Sequence, residues 1–211
     1  GIIRPVELVT LREDKISITN VKIETPLTTL TDGTTTIKFV ASGKIAGSYT
    51  FECEIFDPDG QSVGTTSYTA RLTANESTNL TLSINIGTDI KLWDLNQGNL
   101  YSAHITAKLG KNIQKCAAVK YGYRTIKFDK DTGFYLNGNH VKLKGVCLHH
   151  DNGCVGAAEN LAADIRKVQL LTDMGANALR LTHNPFGKKF LDYCAEIGIL
   201  VVEELFDGWS K

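Results

Sequence analysis

Apolar and polar residues alternate along the first half of the chain in short, separated runs. They include Ile16-Ser-Ile-Thr19, Thr36-Ile-Lys-Phe-Val40, Tyr49-Thr-Phe-Glu-Cys-Glu-Ile-Phe56, Ser67-Tyr-Thr-Ala-Arg-Leu72, Leu80-Thr-Leu-Ser-Ile84 and Tyr101-Ser-Ala-His-Ile-Thr106. Successive side chains of a strand point to opposite faces, so a period of two marks half-buried β-strands. Asp32-Gly33, Asp57-Pro-Asp-Gly60 and Gly98-Asn99 punctuate these runs with turn residues at the spacing of an antiparallel sandwich. The pattern predicts a sandwich of about seven strands, immunoglobulin-like in architecture, that ends near Arg124.

The period then changes. Phe134-Tyr-Leu-Asn-Gly138-Asn-His-Val-Lys-Leu143 reads as a hairpin that turns at Asn137-Gly138. Three apolar runs follow, each ending in residues that hydrogen-bond or titrate: Val141 to His149-His150-Asp151, Asn177 to His183-Asn184-Pro185, and Ile199 to Glu203-Glu204, with Asp207 and Trp209 just beyond. Between them Leu161, Ile165, Val168, Leu170, Leu171 and Met174 recur at helical spacing before Gly175. Phe190, Leu191, Cys194 and Ile197 do the same before Gly198. Strand, helix, strand, helix, strand implies right-handed parallel crossovers, and polar groups at the strand ends are how a TIM barrel gathers its site. The predicted fold class is multi-domain β plus α/β, an immunoglobulin-like β-sandwich followed by a truncated TIM barrel with three of its eight β/α units. Val146, Leu148, Leu179, Leu181 and Val201 are expected to face the barrel interior, where missing neighbours would leave them bare and favour a homo-oligomer.

Charge narrows the partner. Lys plus Arg number 23 and Asp plus Glu number 23, a formal net charge of zero over 211 residues, so no electrostatic footprint for nucleic acid or an anionic membrane exists. No apolar stretch approaches the ~20 residues of a membrane span. The start Gly1-Ile-Ile-Arg-Pro5 lacks the plan of a signal peptide and suggests a cut from a longer chain, whose expected location is periplasmic or secreted rather than cytoplasmic. Five cysteines at irregular spacing do not form a disulfide framework, and Cys53 and Cys116 are not expected to pair. No cofactor is expected. A metal site is the rival reading of the first strand end, because Cys147, His149, His150, Asp151 and Cys154 cluster there, but their spacing fits no zinc template.

Several of these residues carry two readings. His150 follows His149 and should point to the opposite side of its strand, packing under a loop. His183 either faces the strand-end site or caps the helix after Asn184-Pro185. Arg180 is either an ion-pair partner inside the barrel or a ligand-binding group. Only one of Glu203 and Glu204 can face the barrel axis.

In order along the chain, Gly1-Ile-Ile-Arg-Pro-Val6, Leu92-Trp93, Leu100-Tyr101, Gly122-Tyr-Arg124, Phe134-Tyr-Leu-Asn-Gly138, Lys144-Gly-Val146, His149-His-Asp151, Gly175-Ala-Asn177, Arg180, Thr182-His-Asn-Pro185 and Val202-Glu-Glu204 resemble glycoside hydrolase family 2, and most of all its β-galactosidases. The resemblance implies a jelly-roll tail over 1–10, the sandwich over 11–122 and the start of the catalytic barrel over 123–211. It implies a retaining hydrolase of β-linked glycosides or oligosaccharides, with an acid/base and a nucleophilic glutamate ~5 to 5.5 Å apart. Both are expected farther along the barrel than Lys211, so no catalytic residue is assigned and this segment should be inactive. What the family implies here is substrate binding: His149, Asp151 and His183 on sugar hydroxyls, with Arg180, Glu204, Asp207 and Trp209 beside them. Glu204 is favoured over Glu203 because it matches the family's acidic pair, and Trp209 can stack on a sugar face. β-Glucuronidase and β-mannosidase are the alternatives within the family. A non-catalytic carbohydrate-binding or interaction module is the alternative outside it.

Overall fold

The computed structural model describes residues 4–8, 10, 15–27 and 29–208. Trp209 lies outside them, as do Gly1–Ile3 and Val9 of the expected jelly-roll tail. The chain forms two units, one of residues 9–92 and 99–125, the other of 1–8, 93–98 and 126–211. The division is therefore not contiguous, because 93–98 belong with the second unit.

The first unit is built of β1 (Ile16–Glu24), β2 (Thr34–Gly43), β3 (Gly47–Phe56), β4 (Ser62–Leu72), β5 (Ser77–Asn85), β6 (Tyr101–Leu109) and β7 (Asn112–Tyr121). They make two antiparallel sheets, in the orders β1-β2-β5 and β4-β3-β6-β7. The alternation decides what faces in: Ile37, Phe39 and Ala41 from one sheet meet Tyr49, Phe51, Cys53 and Ile55 from the other, all at most 2% exposed. Phe39 and Phe51 pack with ring centroids 5.4 Å apart. Thr35, wholly buried, places its hydroxyl 3.1 Å from that of Tyr121 and against that of Tyr123, which donates to Gly33 O. Every cysteine is a free thiol, and burial pushes that of Cys53 up to about 11.

The second unit opens with a small antiparallel sheet of β8 (Ile126–Asp129), β9 (Gly133–Leu136) and β10 (Asn139–His140). Its last turn has φ of 51° at Asn137 and 80° at Gly138, the paired positive angles of a tight hairpin turn. Then come β11 (Gly145–Leu148), α1 (Leu161–Asp173), β12 (Ala178–Leu181), α2 (Lys188–Ile197) and β13 (Leu200–Glu203). The three strands pair in parallel in the order β11-β12-β13. β11 is shorter than its apolar run because Asn177 occupies the segment before it: its side chain accepts from Lys144 N at 2.8 Å and donates to Lys142 O at 3.0 Å.

The helices start and stop where their caps dictate. Asn160 accepts from Ala163 N to begin α1, and Gly175, at φ 91°, ends it. Asp164 is buried and paired with Lys167 at 3.0 Å, whereas Leu170 and Met174, expected on the apolar stripe, are exposed, Met174 by 80%. α2 ends on Gly198 in the left-handed conformation, and residues 93–98 close over that end. Trp93, 3% exposed, donates its indole N–H to Ala195 O at 2.7 Å; Asn96 N donates to Gly198 O at 2.9 Å. These bonds satisfy carbonyls that a helix end leaves without partners.

The register corrects one expectation. Val146, Leu179 and Val201 lie side by side, as do Leu148 and Leu181 on the next row of the same face. All pack against the helices, with Val168, Phe186, Phe190 and Cys194, rather than facing the barrel axis. The axis face is the opposite parity, where Cys147, Arg180 and Val202 form one exposed row. Amphipathic helices need an apolar surface to bury against, and only one face of the pleat can supply it.

A Cβ on Gly198 would lie 2.5 Å from Asp94 O, whereas one on Gly175 would meet nothing within 4 Å. Gly175→Ala should therefore cost about 1–2 kcal/mol for its backbone conformation alone, and Gly198→Ala clearly more. Urea unfolding of both variants checks this; equal losses would mean that 93–98 do not close over α2.

Candidate active site

The C-terminal ends of β11, β12 and β13 lie together because the parallel ladder continues past them. Thr182 donates through both its backbone N–H and its hydroxyl to Leu148 O, each at 2.9 Å, and Glu204 N donates to Leu181 O at 3.3 Å. The residues that follow each strand are thus delivered to one edge of the sheet.

On that edge Glu204 is the hub. Its Oε2 lies 2.7 Å from His183 Nδ1. Its Oε1 accepts from Arg180 Nε at 2.6 Å and from Arg180 Nη2. Arg180 Nη1 also approaches Cys147 Sγ at 3.6 Å, across the β11–β12 pair. Asp207 Oδ1 stands 3.8 Å from His183 Nδ1, and the ring of His149 meets that of His183 edge to face, with centroids 5.4 Å apart and planes at 77°. The peptide between Thr182 and His183 is cis. Partial desolvation pushes the Glu204 carboxyl up, but hydrogen bonds from His183 and Arg180 outweigh it and hold the group below the usual carboxylate range. The thiol of Cys147 and the Glu204 carboxylate raise Arg180 further above its already high value.

The candidate residues separate into three sets. His149, Arg180, His183, Glu204 and Asp207 come together. Asp151 does not join them: its Oδ1 accepts at 2.9 Å from the backbone N–H of Gly153, the first residue of the short 3₁₀ turn Gly153–Val155, and its carbonyl accepts from Lys167. Trp209 lies outside the described residues. His150 is turned away, stacked on Phe186 at 4.1 Å and 3.2 Å from Asn184 O through Nε2. Glu203 is on the helix side, where Oε1 accepts from Phe186 N at 2.9 Å. His183 does not cap α2, whose N-cap is Gly187. Arg180 is an ion-pair partner, one of its two open readings. The sequence places Cys147 at this strand end only under the rival metal reading; its contact is with Arg180, and its place two residues before His149, on the same face of the pleat, is the signal for that. Among the described residues, no three His, Cys, Asp or Glu side chains converge as a metal site. No helix among them is long and apolar enough to cross a membrane.

A sandwich followed in the chain by parallel β/α units, with histidines and carboxylates collected at the strand ends, is the architecture of a sandwich joined to a segment of a β/α barrel. The family description "Glycosyl hydrolases family 2" matches residues 16–124, and "Glycosyl hydrolases family 2, TIM barrel domain" matches residues 128–206. The chain belongs to glycosyl hydrolase family 2. It is 35% identical over all of its length to a putative beta-glucuronidase of Formosa agariphila, and 36% identical over 155 residues, 74% of the chain, to a beta-galactosidase of Bacteroides ovatus. It spans only 20% and 18% of those relatives. A crystal structure of a family 2 member from Bacteroides cellulosilyticus superposes with a TM-score of 0.83 at 32% identity, covering 90% of this chain and 24% of that one. The beta-glucuronidase of Bacteroides uniformis does so with a TM-score of 0.82 at 27% identity, covering 88% and 23%.

The carboxyl of Glu204 binds its proton less readily in the folded chain than in the unfolded one. Its contribution to stability is complete above the ordinary glutamate value, about 4.3, and is lost as pH falls through the lower folded value. In carbon-detected NMR titrations the Glu204 carboxyl should titrate below that of a glutamate in the urea-unfolded chain. An equal or higher midpoint would mean that Arg180 and His183 do not hold it.

Proposed function

We propose that this chain supplies the sandwich and the first substrate-binding wall of a retaining β-glycosidase, most readily a β-galactosidase. The observation that carries the proposal is the Arg180, Glu204, His183 and His149 cluster at the strand ends of a family 2 barrel segment. In this reading His149 and His183 bind sugar hydroxyls, with bonds that strengthen as positive charge develops on the sugar. Asp151 and Asp207 add carboxylates that can take paired hydroxyls, Asp151 after leaving its turn. The protonating and attacking carboxyls come from farther along the barrel. Glu203 is turned to the helix side and both oxygens of Glu204 are engaged, which supports leaving catalysis to other residues.

Galactoside is favoured because the charge of the cluster's guanidinium is already paired with Glu204, which weakens its pull on a uronate carboxylate even though N–H groups remain. Glucuronide is the second reading, favoured by the relative named a putative beta-glucuronidase that matches along the whole chain. Self-association belongs to the same proposal, through the open axis face at Cys147 and Val202 rather than through the helix-facing residues. Sedimentation equilibrium of the chain is expected to return a species larger than a monomer.

Side-by-side assays of aryl β-galactoside and aryl β-glucuronide decide the substrate. The enzyme carrying this chain should turn over the galactoside faster, and His183→Ala should lower kcat/KM by roughly 100-fold or more. The 211-residue chain alone should stay at background. Turnover by the chain alone would mean that the catalytic carboxyls lie within it; a preference for glucuronide would select the second reading.

A further inference from the structure

The loop between β11 and α1 borders a small cavity of about 10 Å³, whose lining includes Arg4, Asn152, Glu159, Asp164 and Gly187. Two oxygens of these residues, Asn152 Oδ1 and Glu159 Oε2, are buried and have no hydrogen-bond partner among the described residues. Burying such oxygens without donors is costly. The nitrogen of the Asn152 amide is engaged, since Nδ2 donates to Ala158 O at 3.3 Å, so its oxygen is the unmet end. Gly187 shows that the place of Glu159 is provided for. Its backbone, at φ −67° and ψ 147°, is one that any residue adopts, so this glycine is not needed for conformational freedom. A Cβ on it would lie 2.5 Å from Glu159 Oε2. The absent side chain leaves room for the carboxylate.

Both oxygens call for donors. Positive charge is already supplied: Arg4 lines the cavity, Asp164 is paired with Lys167, and the N-termini of α1 and α2 begin at Asn160, beside Glu159, and at Gly187. A metal ion would therefore add charge where none is wanted. A guanidinium only donates, while a carboxylate and an amide oxygen accept, so a ligand between them must accept once and donate twice. One water molecule does this with the roughly three bonds typical of a buried water, and ~10 Å³ is about the space one needs. Arg4 is placed for it, half-buried where Pro5–Leu8 are exposed, and it belongs to the same unit as the loop.

We propose that Arg4 is a positioning residue, tied through one buried water to Glu159 Oε2 and Asn152 Oδ1, and that this tie holds the loop that leaves the β11 strand end. The loop starts with His149 and Asp151 and closes on itself where Asn152 N donates to Gly156 O at 2.8 Å. Lys167 fixes it from α1, through Asp151 O at 3.1 Å. Arg4 fixes it from residues that precede the sandwich. Only the consequence for substrate rests on the glycoside reading.

Crystals of the chain that order solvent test the tie directly. One water should lie ~2.7–3.2 Å from Glu159 Oε2, Asn152 Oδ1 and a nitrogen of Arg4. No peak there, or a peak at the ~2.3–2.6 Å of a calcium ion, overturns it. In solution, Arg4→Leu and Glu159→Ala should each speed amide exchange of Asn152 and Gly156 roughly 10-fold. Phe190 in α2 should exchange as in the wild type, and Arg4→Lys, which keeps a donor, should restore slow exchange. The double variant should be no faster than either single one. Additive effects, or no effect of Arg4→Leu, overturn the proposal. Gly187→Ala carries the same test if Glu159→Ala fails to fold, because the added methyl displaces only the flexible end of Glu159. In the enzyme carrying this chain, Arg4→Leu should raise KM for an aryl β-galactoside roughly threefold or more while kcat changes by less than about twofold. An unchanged KM with faster loop exchange overturns the positioning of the strand end, whereas a wild-type enzyme that turns over no β-glycoside overturns the glycoside reading alone.

Discussion

The pleat of three parallel strands is the constraint from which the second unit follows. Two amphipathic helices must bury their apolar stripes on the sheet, and the residues of one parity, Val146, Leu148, Leu179, Leu181 and Val201, are given over to them. Side chains of the other parity cannot reach the helices. Cys147, Arg180 and Val202 are left on the axis face, and continuing that parity past the strand ends adds Glu204. The same rule separates Glu203 from Glu204, adjacent in sequence and opposite in allegiance: one steadies the loop before α2, the other binds Arg180 and His183.

Packing and chemistry are therefore divided between the two faces. The fold of this unit is carried by Val168, Leu179, Leu181, Phe190 and Cys194, all fully or nearly buried. The polar cluster is open to solvent, and ion pairs that exposed contribute little to stability. Its members can accordingly be arranged for orientation and charge, with small effect on whether the sheet and helices form. Glu204 gains its influence from geometry: one carboxylate with two oxygens faces a cation on one side and an imidazole on the other.

Much of this was legible in the residues. The two-residue period of the first unit, the Asn137-Gly138 turn, the Asn160 and Gly175 caps and the gathering of polar groups after three apolar runs all follow from local chemistry. The covered face of the sheet was not legible, because alternation says that two faces exist and not which one meets a helix. Leu170 and Met174 fit a helical period and are nonetheless exposed, since the stripe is narrower than the apolar residues available. The partnership of Arg180 with Glu204 depends on register between strands 24 positions apart, which a single sequence does not encode locally. Asp151 was read as a ligand-binding carboxylate, and the competing local bond to Gly153 N is of the Asx-turn kind that aspartate forms readily.

Residues 93–98 carry a consequence for how the chain can be divided. They lie inside the stretch 16–124 matched by the first family description, yet Trp93 and Asn96 supply hydrogen bonds that finish α2 about a hundred residues later. The boundary seen along the sequence, near 125, is thus not a boundary in space. A barrel piece expressed from that point onward would lack the indole that donates to Ala195 O and the amide that donates to Gly198 O. The modules of this protein can be read off its sequence one after another, but they cannot be cut there.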